Sequence, residues 1–220
     1  MRYLHLVALT RRHPSAILLV VQLAGMLLYP LLEGSRAGPL AFGAFGIVVL
    51  VMTTHMVRST PGLTWLSVCI ALPAIGLLML QAFLDMPALL PWSAALESLF
   101  YFYAAGSLIA YMLGDLRATT DELFAAGATF TLLAWAFAHL FVVLQALQPG
   151  SFLAAVDPQA PRTWTELLFL SFALLSSTGI GDVIPVRPVA RALSSIEMFA
   201  GVMYLAAVVS RLIGLTLQRR

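Results

Sequence analysis

The chain has 220 residues, 61% of them hydrophobic and only 10% charged, with a mean hydropathy of +0.95. A soluble domain carries about 25% charged residues, so this composition excludes an ordinary water-soluble protein. The formal net charge of +2, spread over scattered arginines, gives no footprint for nucleic acid.

Six apolar segments follow one another. A bilayer's hydrocarbon core of roughly 30 Å takes about 20 apolar helical residues to cross, and each segment approaches or exceeds that length, so each is predicted to be a membrane helix. The first runs from Pro14 to Leu32, with proline at a helix start where its missing N–H does no harm. It follows Met1 to His13, which resembles the start of a cleaved signal. The apolar run is too long for one and lacks a small-x-small cleavage site, so it is read as a membrane helix. The second segment is Leu40 to Val57 and the third Leu63 to Leu84, containing Cys69, which has no partner for a disulfide or a metal and reads as packing. The fourth starts near Ser93, an N-cap candidate, and ends near Gly114. The fifth is Leu123 to Leu147, after Asp121 and Glu122, and the sixth Val189 to Leu217. Between the last two lie a polar, proline-containing stretch (Gln148 to Thr163), a short apolar run (Trp164 to Ser176) and a glycine-bearing loop (Ser177 to Pro185). The short run cannot cross and reads as a re-entrant segment.

Arginine placement sets the orientation. With a cytoplasmic N-terminus, Arg2, Arg11, Arg12, Arg58, Arg117, Arg211, Arg219 and Arg220 lie inside, against Arg36, Arg162, Arg187 and Arg191 outside. Positive charge favours the inner side, so both termini are expected in the cytoplasm and the re-entrant segment enters from outside.

The chemistry concentrates in Phe169 to Pro185, FLSFALLSSTGIGDVIP. Non-helical backbone at membrane depth is tolerated only where it lines a wet cavity or serves a ligand. Gly179 and Gly181 alternate with Thr178 and Ile180, a spacing that lets successive carbonyls turn the same way, and glycine permits the positive φ this requires. Carbonyls stacked on a symmetry axis replace the hydration shell of a monovalent cation, a mechanism for which potassium channels are the standing example.

Ser177-Thr178-Gly179-Ile180-Gly181-Asp182, with Pro185 after it, resembles the T-V-G-Y-G-D filter of the potassium-channel pore family. Phe169 to Phe172 is similar to the aromatic-Ser-Phe stretch of that family's pore helices, and EMFAGVMYLAAVVSRLIGL to its inner helix. The resemblance covers residues 123–217. It implies an all-α membrane protein of six transmembrane helices, with a pore helix and filter between helices 5 and 6. It also implies a homotetramer in the cell membrane, of a bacterial inner-membrane type. Residues 1–120 would form a four-helix domain and 121–220 the pore domain. Potassium ions would be held by the carbonyls of Ser177, Thr178, Gly179, Ile180 and Gly181, with the Ser177 hydroxyl at the innermost site and Gly201 as the hinge of the inner gate. Two departures bear on selectivity: serine replaces threonine at 177, and Ile180 replaces the tyrosine whose hydroxyl braces the filter.

Other side chains carry two readings each. Asp182 either forms a ring of carboxylates at the outer mouth or ties the filter to its pore helix. Glu197, a carboxyl inside a membrane helix, either modulates gating with pH or is neutral and bonded to Ser194 or a neighbour. Glu166 meets the positive end of the pore-helix dipole. His139 and His55 lack metal-ligand partners and read as packing or interfacial; Glu97, Tyr101, Tyr103 and Tyr111 read as a polar seam. A voltage sensor needs several charges, each contributing about 2.3 kcal/mol per 100 mV, whereas Ser93 to Leu113 holds no arginine. Weak voltage dependence is expected.

The reading is a passive potassium channel, not an enzyme and without a cofactor, whose partners are its own copies, membrane lipid and monovalent cations. A weakly selective Na/K channel is the alternative. An ion-coupled transporter expects inverted repeats that residues 1–120 do not show, and an intramembrane hydrolase expects G-x-S-x-G or H-E-x-x-H, both absent.

Overall fold

The computed structural model describes residues 14–32, 38–57, 62–84, 86–114 and 119–217. Arg2, Arg11, Arg12, Arg36, Arg58, Arg117, Arg219 and Arg220, on which the orientation expectation leans, lie outside these residues. The described chain forms α1 (Pro14–Leu32), α2 (Gly38–Val57), α3 (Thr64–Leu84), α4 (Leu90–Leu113), α5 (Thr120–Leu147), β1 (Phe152–Ala154), α6 (Trp164–Leu175), β2 (Val183–Pro185) and α7 (Pro188–Leu217). The fold is therefore all-helical apart from one short ribbon. Helices α3, α4, α5 and α7 are long and apolar enough to cross a membrane; the apolar stretches assigned in α1 and α2 are shorter, Pro14–Tyr29 and Ala44–Val57.

The helix starts follow local chemistry. Leu89, not Ser93, is the N-cap of α4, with proline in the first turn. Pro91 tolerates that turn because its absent N–H would have had no partner there. Ser93 instead lies one turn inside, its hydroxyl donating to Leu90 O at 3.1 Å and accepting from Gln81 Nε2 at 2.7 Å. Helix α5 starts earlier than Leu123 because Thr119 caps it by accepting from Glu122 N at 3.2 Å. Asp121 and Glu122 thus sit in the first turn, at the positive end of the helix dipole.

Helix α5 is the spine. Residues Ala134 to His139 are buried without a break, the mark of a helix enclosed on all sides. Trp135 meets Phe45 of α2, Tyr101 of α4 and Trp164 of α6 with ring centroids 5.8, 5.7 and 5.5 Å apart. One core therefore runs from the first helices to α6. Ser98 of α4 donates to Ala136 O at 2.8 Å, and Ser15 at the start of α1 donates from N and Oγ to the Asp121 carboxylate at 3.2 and 2.8 Å. Cys69 is exposed on α3; it faces outward rather than packing inside.

The ribbon is antiparallel, pairing Phe152 with Pro185, Leu153 with Ile184 and Ala154 with Val183. The chain thus leaves β1, runs through α6 and the glycine loop, and returns beside its point of departure. Pro185, which has no N–H to give a ladder, sits at the strand's last position.

Candidate functional site

The entrance to α6 is fixed by a capping box: Thr163 Oγ1 accepts from Glu166 N at 3.3 Å, and Glu166 Oε2 accepts from Thr163 N at 2.7 Å. Two orphan helix-start donors are thereby satisfied. Glu166 plays the structural part expected of it. Before the cap lies Arg162, buried, whose guanidinium donates to Val156 O, Asp157 O, Ala160 O and Glu166 Oε1 at 3.2, 2.6, 2.5 and 3.1 Å. The Gln145 side chain grips the same residue's backbone, accepting from Arg162 N at 2.8 Å and donating to Arg162 O at 2.9 Å.

At the other end of α6 the chain turns sharply. Ser177 N donates to Leu174 O at 3.0 Å, and Thr178 N and Gly179 N both donate to Ala173 O, at 2.9 and 3.0 Å. Ser176 Oγ donates to Phe172 O at 2.7 Å. With that hydrogen spent, the 2.6 Å contact between Ser176 Oγ and Thr178 Oγ1 is donated by Thr178. Ser177, Gly179 and Gly181 have φ of +58°, +60° and +77°, while Thr178 and Ile180 between them have negative φ. Reversing the backbone's hand at every second residue turns successive carbonyls to one side. Among the described residues, none of the Ser177 to Gly181 carbonyls accepts a hydrogen bond. The amides of Ser177, Thr178 and Gly179 are thus bonded back into α6.

Glycine takes a positive φ freely, but a serine in the left-handed region pays for it. The three hydrogen bonds that begin at Ser177 N hold it there. Residues Ser176 to Asp182 are all exposed, Ile180 by 61%. Asp182, the last residue before β2, makes no hydrogen bond or ion pair among the described residues.

Helix α7 packs on α6 along one stripe. Ala190, Ser194, Glu197, Gly201 and Tyr204 are buried, at alternating spacings of four and three, while the flanking positions are mostly exposed. Glu197 Oε1 is hydrogen-bonded to Ser171 Oγ, which is also 2.8 Å from Ala134 O of α5. Ser194, the partner expected from sequence, leaves its hydroxyl without a hydrogen bond. One turn on, Gly201 lies so close to Leu175 that a Cβ would run into that residue's backbone carbonyl. Tyr204 then donates to Ala126 O at 2.6 Å. At the far end, Arg211 Nη2 is 3.8 Å from Glu122 Oε2.

Away from this region, His139 Nδ1 is 3.6 Å from Glu97 Oε2, both buried. The histidine thus has an acidic neighbour that sequence spacing hid, 42 positions away on another helix. Glu97 and Tyr101 do form part of a seam between helices, whereas Tyr103 donates to Leu63 O at 2.9 Å. No group of three or more histidine, cysteine or acidic side chains able to hold a metal occurs among the described residues. Sequence reasoning named the glycine loop, Glu197 and Gly201. It missed Ser176, Gln145, the buried role of Arg162 and the bond from Ser171 to Glu197, since a serine or glutamine does not reveal its partner.

A family model described as "Ion channel" matches residues 98–218, more than half of the chain, from within α4 to the end of α7. No curated protein and no solved structure matches. The matched span takes in the α5, α6, glycine-loop and α7 assembly together with most of the longest apolar helices. This chain is therefore a membrane protein that belongs to the ion-channel family, of the potassium-channel pore type, and is a channel rather than an enzyme.

Proposed function

We propose that the chain forms a homotetrameric, potassium-selective channel whose filter is the loop Ser177 to Gly181. The observation that carries this is the alternation of hand: positive φ at Ser177, Gly179 and Gly181, with the amides of Ser177, Thr178 and Gly179 bonded back into α6. Backbone oxygens left unbonded and turned alike are the ligands a dehydrated monovalent cation needs. The negative end of the α6 dipole points toward the same turn. The ribbon supports a re-entrant path: twelve residues of α6 rise about 18 Å, short of a crossing, and β2 returns beside β1. In this reading six helices span the cell membrane with both termini in the cytoplasm. Asp182 rings the outer mouth, and potassium passes down its gradient without strong voltage control.

Gly179→Ala tests the assignment. A methyl at φ +60° is strained whatever the space around it, so potassium flux into liposomes carrying purified Gly179→Ala should fall at least about tenfold, the effect of roughly 1.4 kcal/mol. A variant that conducts and selects like the parent overturns the filter. Barium, a potassium-sized divalent cation, should block the parent.

A second reading, a weakly selective Na/K pore, is favoured by one observation: Ile180 is 61% exposed and offers no hydroxyl to brace the loop. Reversal potentials in opposed sodium and potassium gradients separate the two.

A further inference from the structure

Glu197 is fully buried on α7, and among the described residues its one hydrogen-bond partner is Ser171 of α6. The hydroxyl of Ser171 has one hydrogen and two neighbours, Glu197 Oε1 and Ala134 O. Both are acceptors if the carboxyl is ionised, so one would go unserved. The second carboxyl oxygen, Oε2, is buried with no hydrogen-bond partner among the described residues. A buried carboxylate with one partial hydrogen bond and no countercharge is far costlier than a neutral acid in the same place. With a proton on the carboxyl the count closes: Glu197 donates to Ser171 Oγ, and Ser171 donates to Ala134 O. Three helices, α7, α6 and α5, are then joined by one directional relay.

The position of the relay gives it a purpose. Ser171 and Leu175 are one turn apart on α6, Glu197 and Gly201 one turn apart on α7, and the two pairs face each other. The first rung is a hydrogen bond and the second a backbone contact, and the second ends at Leu175, the last residue of α6 and two before Ser177. Ile180 supplies no bracing hydroxyl within the loop itself. We propose that Glu197 is a positioning residue for ion passage, which as a neutral acid holds α7 against α6 through Ser171 and so fixes the base of the glycine turn from behind. This rests on the reading of that turn as the ion path.

The test uses the full-length protein in liposomes with three variants. Glu197→Gln keeps a donor for Ser171 and should conduct and select as the parent does. Glu197→Leu and Ser171→Ala remove the relay and should lower potassium flux or potassium-over-sodium selectivity about tenfold, the usual scale for losing a buried hydrogen bond. Infrared difference spectra of parent minus Glu197→Gln should show the carbonyl stretch of a neutral carboxyl. The proposal is overturned if Glu197→Gln falls as far as Glu197→Leu, if Glu197→Leu conducts like the parent, or if the neutral band is absent. The infrared readout and Glu197→Gln keep the question decidable should the leucine variant fail to fold. A parent that shows the band yet passes no potassium sinks the ion-path reading itself, and the positioning role with it.

Discussion

Gly201 has been assigned two jobs by two kinds of reasoning, and a single methyl separates them. As a hinge, it would owe its place to conformational freedom; Ala would stiffen α7, being a better helix former by about 1 kcal/mol, and would change gating without loss of stability. As a contact, it owes its place to the absence of a side chain where α7 meets the backbone of Leu175. That neighbour is main chain at the end of a helix and cannot rotate aside. Gly201→Ala should therefore force α7 away from α6 and destabilise the protein by about 1–3 kcal/mol, the range for overpacked sites. Thermal melting in detergent checks it: an unchanged or raised Tm removes the contact role. The sequence pointed to Gly201 but not to this reason, since a glycine in a helix looks the same whether it bends or is pressed against. Glu197 was legible as an anomaly, a carboxyl in an apolar helix, while Ser171, 26 positions away, was legible as part of the aromatic-Ser-Phe stretch but not as its partner.

At the scale of elements, apolar length was enough to place the helices, because crossing a bilayer demands a run that composition cannot hide. Helix α1 falls at the expected bounds, Pro14–Leu32, and α7 begins within one residue of them. The ends moved where capping decided them. Ser93 is a good capping residue by type, but Pro91 before it already belongs to the helix. The stretch from Gln148 to Thr163 was the least legible, reading only as a polar turret, and its organiser is a side chain that had been counted as an outer positive charge. Arg162 spends that charge inside the protein, on three backbone carbonyls and Glu166. Arg162→Ala would strand those acceptors beside the start of α6, at a cost on the order of 2–3 kcal/mol. Arg162→Lys should recover little of it, because an ammonium cannot reproduce the planar fork that reaches several oxygens at once. Both variants should melt several degrees below the parent, and a lysine variant as stable as the parent would show that the charge alone matters. Glu166→Gln, which retains an acceptor for Thr163 N, should be mild by comparison.

For the whole molecule, the decisive feature is how little of α7 this chain covers. Its buried stripe is one residue wide, and Met198, Phe199, Val202, Met203, Leu205 and Val209 are exposed on the remaining faces. One lipid-facing side would account for part of that surface, but exposure extends around most of the helix. Ser177 to Gly181, the residues of the glycine turn, are likewise exposed. In the proposed reading a single chain supplies one wall of a cation site, and a ring of identical walls closes most simply about a rotation axis. Four copies would give each ion the surrounding oxygens that a carbonyl cage requires. Native mass spectrometry of the detergent-solubilised protein should find four times the 23.8 kDa chain mass. Charged substitution at Phe199, which is 68% exposed and lies on the uncovered side of α7, should reduce that species without unfolding the chain, since its ring is not buried among the described residues. A protein that stays monomeric at concentrations where it conducts would leave the glycine turn without its other walls, and the cage would have to be abandoned even with the family membership intact.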